Sequence, residues 1–282
     1  MITRKLSSSL LLFGLFSPLL IGLTPANASQ GHCGQATLNG KYGALEQGTV
    51  LVDLGVGVTP PFPFALSAIA SFDGEGNISG TFWASFGGVP RSGPFTGTYT
   101  VNPDCTYSDT ITPEGMPSAY RVGAITGDGQ DQELQTIYTD EWWVVYGTLR
   151  RIPLGGYSLR TLIGRYEVFG QGTDMSYALP IPGFPAPPFP AAHVGTLTAD
   201  GAGHFSGSDV EKVDVAAMPT TFTAQYSITR DCVYTVTITN NSGLVMHETG
   251  TITGSDEHQQ VRKIMTDPGW VFADTAKKMH TR

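Results

Sequence analysis

Charged residues are scarce in this sequence. Only 14% of its 282 residues are Asp, Glu, Lys or Arg, and 16 basic residues leave a net charge of −8. A nucleic-acid binder meets phosphates with a basic patch. The Lys and Arg residues here are scattered, which excludes that partner class and argues against anionic membrane surfaces. Beyond the first residues no apolar run has the length of a membrane helix. There are 3 cysteines, Cys33, Cys105 and Cys232, without the close pairing that zinc sites show. The 6 histidines are equally dispersed. Turns such as Asp73-Gly74-Glu75 and Asp128-Gly129-Gln130-Asp131 lack the alternating oxygens and terminal Glu of a calcium loop. No Ser-His-Asp set or phosphate loop stands out. Neither a metal nor a cofactor is expected.

What is present begins with a leader. Arg4 and Lys5 precede an apolar run from Leu10 to Leu23, and Ala26-Asn27-Ala28 supplies small residues at the cleavage positions. Residues 1–28 read as a secretory signal peptide cut before Ser29, which places the mature chain in a secreted or periplasmic setting. Its 35 Gly and 19 Pro, with many Thr, Val, Tyr and Phe, point to an all-β protein.

The chain also repeats itself. Tyr99-Thr100-Val101-Asn102-Pro103-Asp104-Cys105 returns as Tyr226-Ser227-Ile228-Thr229-Arg230-Asp231-Cys232, an offset of 127 residues (232 − 105). The same offset carries Pro60-Pro61-Phe62-Pro63 onto Pro187-Pro188-Phe189-Pro190 and Trp143 onto Trp270. Upstream, Gly40-Lys41-Tyr42 matches Gly164-Arg165-Tyr166 at 124 (164 − 40), so copy two gained residues in one loop. A repeat this long is a whole domain rather than a solenoid unit. The expected division is 29–153 and 154–282, with the boundary near Pro153-Leu154-Gly155-Gly156.

Alternation marks the strands: Phe95, Tyr99 and Val101 face one way while Thr96, Thr98 and Thr100 face the other. Asp-Gly clusters separate such runs as hairpin turns. In copy one, eight strands begin near Lys41, Phe64, Asn77, Pro94, Thr106, Ala119, Glu133 and Trp143. Successive hairpins without helices predict two tandem eight-stranded antiparallel up-and-down barrels, with a two-sheet sandwich as the alternative. At that size the interior is filled by side chains or holds one small ligand.

Cys33 has no partner in copy two, since its equivalent position is Tyr157. One bridge, Cys33 to Cys105, is therefore expected, with Cys232 free and buried.

The order of a Gly-x-Tyr strand (Gly40 to Tyr42), a Pro-Phe loop (Pro60 to Phe64) and an Asp-Gly-x-Gly-Asn turn (Asp73 to Asn77) continues into Gly97 to Cys105 and an aromatic strand, Thr139 to Gly147. This pattern resembles an exported bacterial family related in shape to lipocalins and the allene oxide cyclase barrel. The resemblance spans nearly all of the mature chain, twice. It implies the barrel fold and transfers no catalytic residue.

Comparing the copies exposes candidate chemistry. Glu46 and Asp109 fall on faces that are otherwise apolar, where copy two has Gly170 and Val236. A carboxylate aimed into an apolar interior is costly unless paired or neutral, and two of them form a candidate acid/base pair. The rival reading offsets those faces by one residue or puts both groups at a wet rim. His247, opposite Tyr120, reads as an ordinary strand histidine. The Pro-Phe loops, with Phe62, Phe184 and Phe189, suit a lid over the barrel mouth or a contact between barrels. With Tyr42, Tyr99 and Tyr107 inside, they form the candidate ligand-binding set. Three functions stay open: an exported binder of a small apolar molecule, a cofactor-independent isomerase or cyclase, and a structural envelope protein. Barrel–barrel or homo-oligomer contact is the other expected partnership.

Overall fold

The computed structural model describes residues 33–175, 188–214 and 216–280. The expected leader and Phe184, with the rest of the stretch from Pro180 to Pro187, lie outside them. Sixteen strands account for most of what is described. The first eight are β1 Asn39–Val50, β2 Phe62–Asp73, β3 Asn77–Phe86, β4 Val89–Val101, β5 Thr106–Pro113, β6 Ala119–Thr126, β7 Glu133–Tyr138 and β8 Trp143–Arg151. The second eight are β9 Ile163–Asp174, β10 Phe189–Asp200, β11 His204–Val213, β12 Ala216–Ile228, β13 Val233–Asn240, β14 Val245–Thr253, β15 Gln260–Met265 and β16 Trp270–Lys278. Each set pairs in sequence order and closes on itself, β1 with β8 and β9 with β16. The fold is all-β, two closed antiparallel barrels in tandem, and the sandwich alternative is set aside.

Sequence repeats become structural repeats. Cys105 and Cys232 each take a left-handed backbone, φ 66° and 65°, at the tight β4–β5 and β12–β13 hairpins. Leu38 and Leu162 are buried, and the Tyr99 and Tyr226 hydroxyls donate to their carbonyls at 2.8 and 3.0 Å. Tyr42 and Tyr166 are both buried and donate to Gln132 and Gln259.

The copies diverge at the cysteines. Cys33 is bridged to Cys105 across 72 residues of sequence, whereas Cys232 is free and buried. Tyr157, in the place of Cys33, packs beside Cys232 instead.

Strand β2 is buried on both faces, one by its own core and the other by barrel two. Ala65 meets Ile264, Val271 and Ala273. The Ser67 hydroxyl lies 3.3 Å from the Ala44 and Arg262 carbonyls, and Arg262 donates to Gly43 O at 3.0 Å. A Cβ on Gly43 would collide with Thr251 and Thr253, so that glycine permits the close approach of the barrels.

Removing the bridge through Cys33→Ala and Cys105→Ala should lower stability by about 2–4 kcal/mol, because it frees a long loop in the unfolded chain. Urea denaturation of the double variant measures this. An unchanged midpoint would mean the bridge contributes nothing to barrel one.

Candidate functional site

Barrel one places Glu46 and Asp109 inside, at 1% and 5% exposure. Cross-strand pairing brings Arg121 on β6 opposite Asp109 on β5, and Tyr138 on β7 opposite Arg121. Arg121 grips Asp109 with two nitrogens, one of them 2.9 Å away, and turns its third nitrogen to Glu46 at 2.5 Å. The Tyr138 hydroxyl donates to the other Glu46 oxygen at 2.6 Å, and the Tyr107 hydroxyl donates to Asp109. One guanidinium thus joins the two carboxylates into a closed network with geometry suited to strong charged hydrogen bonds. Burial first, and the neighbouring carboxylates next, push the Tyr107 and Tyr138 hydroxyls well above their ordinary range. Burial works against the Arg121 charge, but Asp109 and Glu46 outweigh it and hold the proton firmly.

The sequence-predicted ligand residues of copy one are buried in this fold. Tyr42, Phe62, Tyr99 and Tyr107 are all at most 3% exposed. Phe72 meets Tyr42 and Tyr99 edge-on at 5.1 and 5.0 Å. Phe189 is half-buried at the start of β10.

Barrel two fills the equivalent positions with different chemistry. Across the 127-residue offset (248 − 121), Glu248 stands for Arg121; Lys263 stands for Thr136, and Asp274 for Gly147. The carboxylate missing at Gly170 has moved to the neighbouring strand, since Gly170 pairs with Asp274 as Glu46 pairs with Gly147. In each barrel a Cβ on the glycine would strike the carboxylate-bearing side chain opposite. Copy two therefore carries inward carboxylates of its own, at positions other than the counterparts of Glu46 and Asp109. Glu248 and Asp274 are 3% and 0% exposed.

Lys263 pairs with Glu248 and lies 3.3 Å from Asp274. His193 on β10 completes the cluster. Its Nε2 is 2.9 Å from Asp274 Oδ1, an ion-pair distance but off the direction of a hydrogen bond, and its Nδ1 is 3.5 Å from Asp209. Burial opposes charge on the ring, but the Asp274 and Asp209 carboxylates outweigh it and raise His193 from 6.5 to about 10. Burial likewise works against the Asp274 carboxylate, yet Lys263 and His193 hold it well below the usual range. Burial raises the Glu248 carboxyl, with Lys263 opposing the shift and Asp274 adding to it.

Beside this cluster barrel two encloses a cavity of about 50 Å³. Its charged side is His193, Asp209, Glu211, Glu248 and Lys263, and its apolar side includes Leu197, Phe205, Phe222, Met246 and Phe272. Barrel one has Leu66, Phe82 and Ala84 where barrel two has His193, Asp209 and Glu211, all three of them buried core residues. That exchange was readable in the sequence, by searching copy two for charges at apolar positions of copy one.

Wider clefts of about 510 and 450 Å³ run along the outer seam between the barrels, both touching Gln47, Tyr146 and Gln171. They are open grooves away from the buried charge cluster, so the enclosed site in barrel two is the stronger candidate despite its size. His247 is half-exposed and pairs with Asp267 at 2.9 Å on the surface. Among the described residues no three His, Cys, Asp or Glu groups converge to hold a metal ion. No described helix is long and apolar enough to cross a membrane. No protein-family model matches the sequence, and no curated protein matches it significantly.

Arg121→Met should cost about 3–5 kcal/mol, because it strands two buried carboxylates. Replacing the whole set, as Glu46→Leu, Asp109→Val and Arg121→Met, should recover at least half of that loss. Urea unfolding of both variants decides the matter, and a loss below about 1 kcal/mol for Arg121→Met would show that the network does not hold barrel one together.

The pH dependence of barrel two follows from His193. Its folded value lies above the unfolded 6.5, so its stabilising contribution is complete below that pH and disappears as pH rises through about 10. The imidazole should still carry both protons at about pH 8 by nitrogen NMR. A neutral ring at that pH would dissolve the proposed His193–Asp274 ion pair.

Proposed function

We propose that the chain is an exported small-molecule-binding protein in which barrel two holds the ligand and barrel one serves as a filled structural partner. One observation carries this reading. At equivalent inward positions barrel one packs Leu66, Phe82 and Ala84, whereas barrel two carries His193, Asp209 and Glu211 beside an enclosed space of about 50 Å³. Folding alone does not require those polar groups, since barrel one closes without them. Ligand sites are typically apolar cavities with a few convergent polar groups, and this cavity has that composition. The disulfide Cys33–Cys105 suits an oxidising compartment and supports export.

A second reading, a cofactor-independent isomerase or cyclase, draws on the same cluster. A histidine held as a cation and a carboxyl of raised proton affinity, Glu248, flank one cavity, an arrangement that could donate and accept protons. The carboxylates of barrel one, Glu46 and Asp109, offer this reading less, because Arg121 and two tyrosines occupy them.

The binding reading is tested by giving barrel two the residues of barrel one: His193→Leu, Asp209→Phe and Glu211→Ala together. Native mass spectrometry of the full chain purified from its own host should show a retained small molecule that the triple variant lacks, while circular dichroism stays the same. A chain that retains nothing, and takes up no added small molecule that the triple variant refuses, would overturn it.

A further inference from the structure

The geometry points to a cationic ligand: we propose that barrel two takes a small amine, binding its ammonium group between Asp209 and Glu211 with the carbon body on the aromatic side. The inference rests on the reading of barrel two as the binding barrel and specifies what that barrel selects.

The first support is an imbalance of charge-bearing groups. Four carboxyls face the interior, Asp209 and Glu211 from β11, Glu248 from β14 and Asp274 from β16. Among the described residues only two bases face them, His193 from β10 and Lys263 from β15. Asp174, near the end of β9, adds a further negative charge within reach of Glu211. Lys263 is engaged by Glu248 and Asp274, and His193 is shared between Asp274 and Asp209, which leaves Glu211 as the acid no base is engaged with among the described residues. Barrel one is far closer to balance, with two carboxylates on one guanidinium and two tyrosine hydroxyls completing their hydrogen bonds.

The second support is where the imbalance falls. Asp209 Oδ1 is buried and, among the described residues, has no hydrogen-bond partner, while Asp209 Oδ2 lies 3.5 Å from His193 Nδ1; Glu211 lines the same cavity. A carboxylate only accepts, so the group missing from this space is a donor. Leaving a buried acceptor unmet costs more than meeting it gains, which makes the orphan a recognition element. Burial and the adjacent Asp209 raise the proton affinity of Glu211 although His193 opposes the shift, the response of a site that holds more acids than bases. An ammonium supplies both the charge and the N–H donors.

The third support is the choice among cations. Metal ions are disfavoured because no three ligating groups converge among the described residues. A quaternary ammonium has no N–H to give Asp209. A space of about 50 Å³ suits a head group and a short body, and excludes bulky amines. Phe222 and Trp270 on the same wall can contact the alkyl part and the cation face.

The test is calorimetric titration of the full chain with n-butylamine, n-butanol and butyrate. Butylamine should bind at least about tenfold more tightly than butanol, and butyrate not at all. Its affinity should rise as pH increases from about 5 to 7, by up to about tenfold per unit, because the ammonium displaces a proton held by the acids. Asp209→Asn with Glu211→Gln should weaken butylamine at least about tenfold. If that variant does not fold, the pH dependence of the unaltered chain still decides. Butanol binding as tightly as butylamine, and lost in the triple variant that copies barrel one, would overturn the amine while leaving a binding cavity. Butylamine binding that ignores both pH and the amide variant would be surface attraction to an acidic chain, and would overturn the amine as well. Binding of none of the three at millimolar concentration would overturn the amine, while the binding reading would still stand or fall on whether the purified chain retains a small molecule.

Discussion

An eight-stranded sheet that closes on itself encloses room for little more than its own inward side chains. Water is displaced from that space, so every charge placed there needs a partner of opposite sign or a proton. The two copies meet this constraint differently. Barrel one fills its centre with aromatic rings and ties its two carboxylates to one arginine. Barrel two replaces three apolar side chains with His193, Asp209 and Glu211, keeps a lysine between two acids, and leaves a gap. The same wall of hydrogen-bonded strands thus supports a closed core and an unfinished one. The closed copy shows that the fold does not depend on the groups that make the other copy chemically distinct.

The barrels also share a wall. Strands β1, β2 and β3 lie against β14, β15 and β16, and small residues line the contact: Gly43, Ala65 and Ser67 on one side, Thr251 and Ala273 on the other. Arg262 is buried there with its guanidinium on a backbone carbonyl of the other barrel. Burial lowers its proton affinity to about 10, with Glu133 opposing the shift. A buried arginine satisfied partly by carbonyls gives direction to a surface that apolar contact alone would leave free to slide. Since the charged centre of barrel two sits on β14 to β16, the wall that fixes the barrels together also backs Glu248, Lys263 and Asp274.

Turns and alternation carried most of the fold in the sequence, and the strand starts fall within two residues of expectation except at β4. That strand begins at Val89 rather than near Pro94. Pro90 and Pro94 fall in this early stretch, where β4 is not yet in register with β5, so proline is tolerated at its unpaired edge. The bridge Cys33–Cys105 was legible because the repeat left Cys33 without a counterpart. The centre of each barrel was only half legible. Glu46 and Asp109 were visible as charges on apolar faces, but Arg121 was hidden by an inverted strand. On β6, Tyr120 and Val122 are 53% and 40% exposed while Arg121 points inward, so hydrophobicity gives the wrong phase. The same inversion hides Glu248 between His247 and Thr249. Position-by-position comparison also failed where a carboxylate crossed to the next strand, as from Glu46 to Asp274.

That crossing has a consequence for how the two halves could have diverged. In barrel one the acid sits on β1 and the vacancy on β8; in barrel two the vacancy sits on β9 and the acid on β16. The strands involved are the first and last of each copy, far apart along the chain but adjacent at the seam where the barrel closes. Exchanging the first strands alone between the copies would leave one barrel with two side chains contending for one space and the other with none. The seam strands are therefore exchangeable only as a pair. Divergence from a common ancestor had to change both ends of one copy, through an intermediate holding either a hole or a collision. The closing seam, rather than any single strand, is the unit in which this interior is inherited.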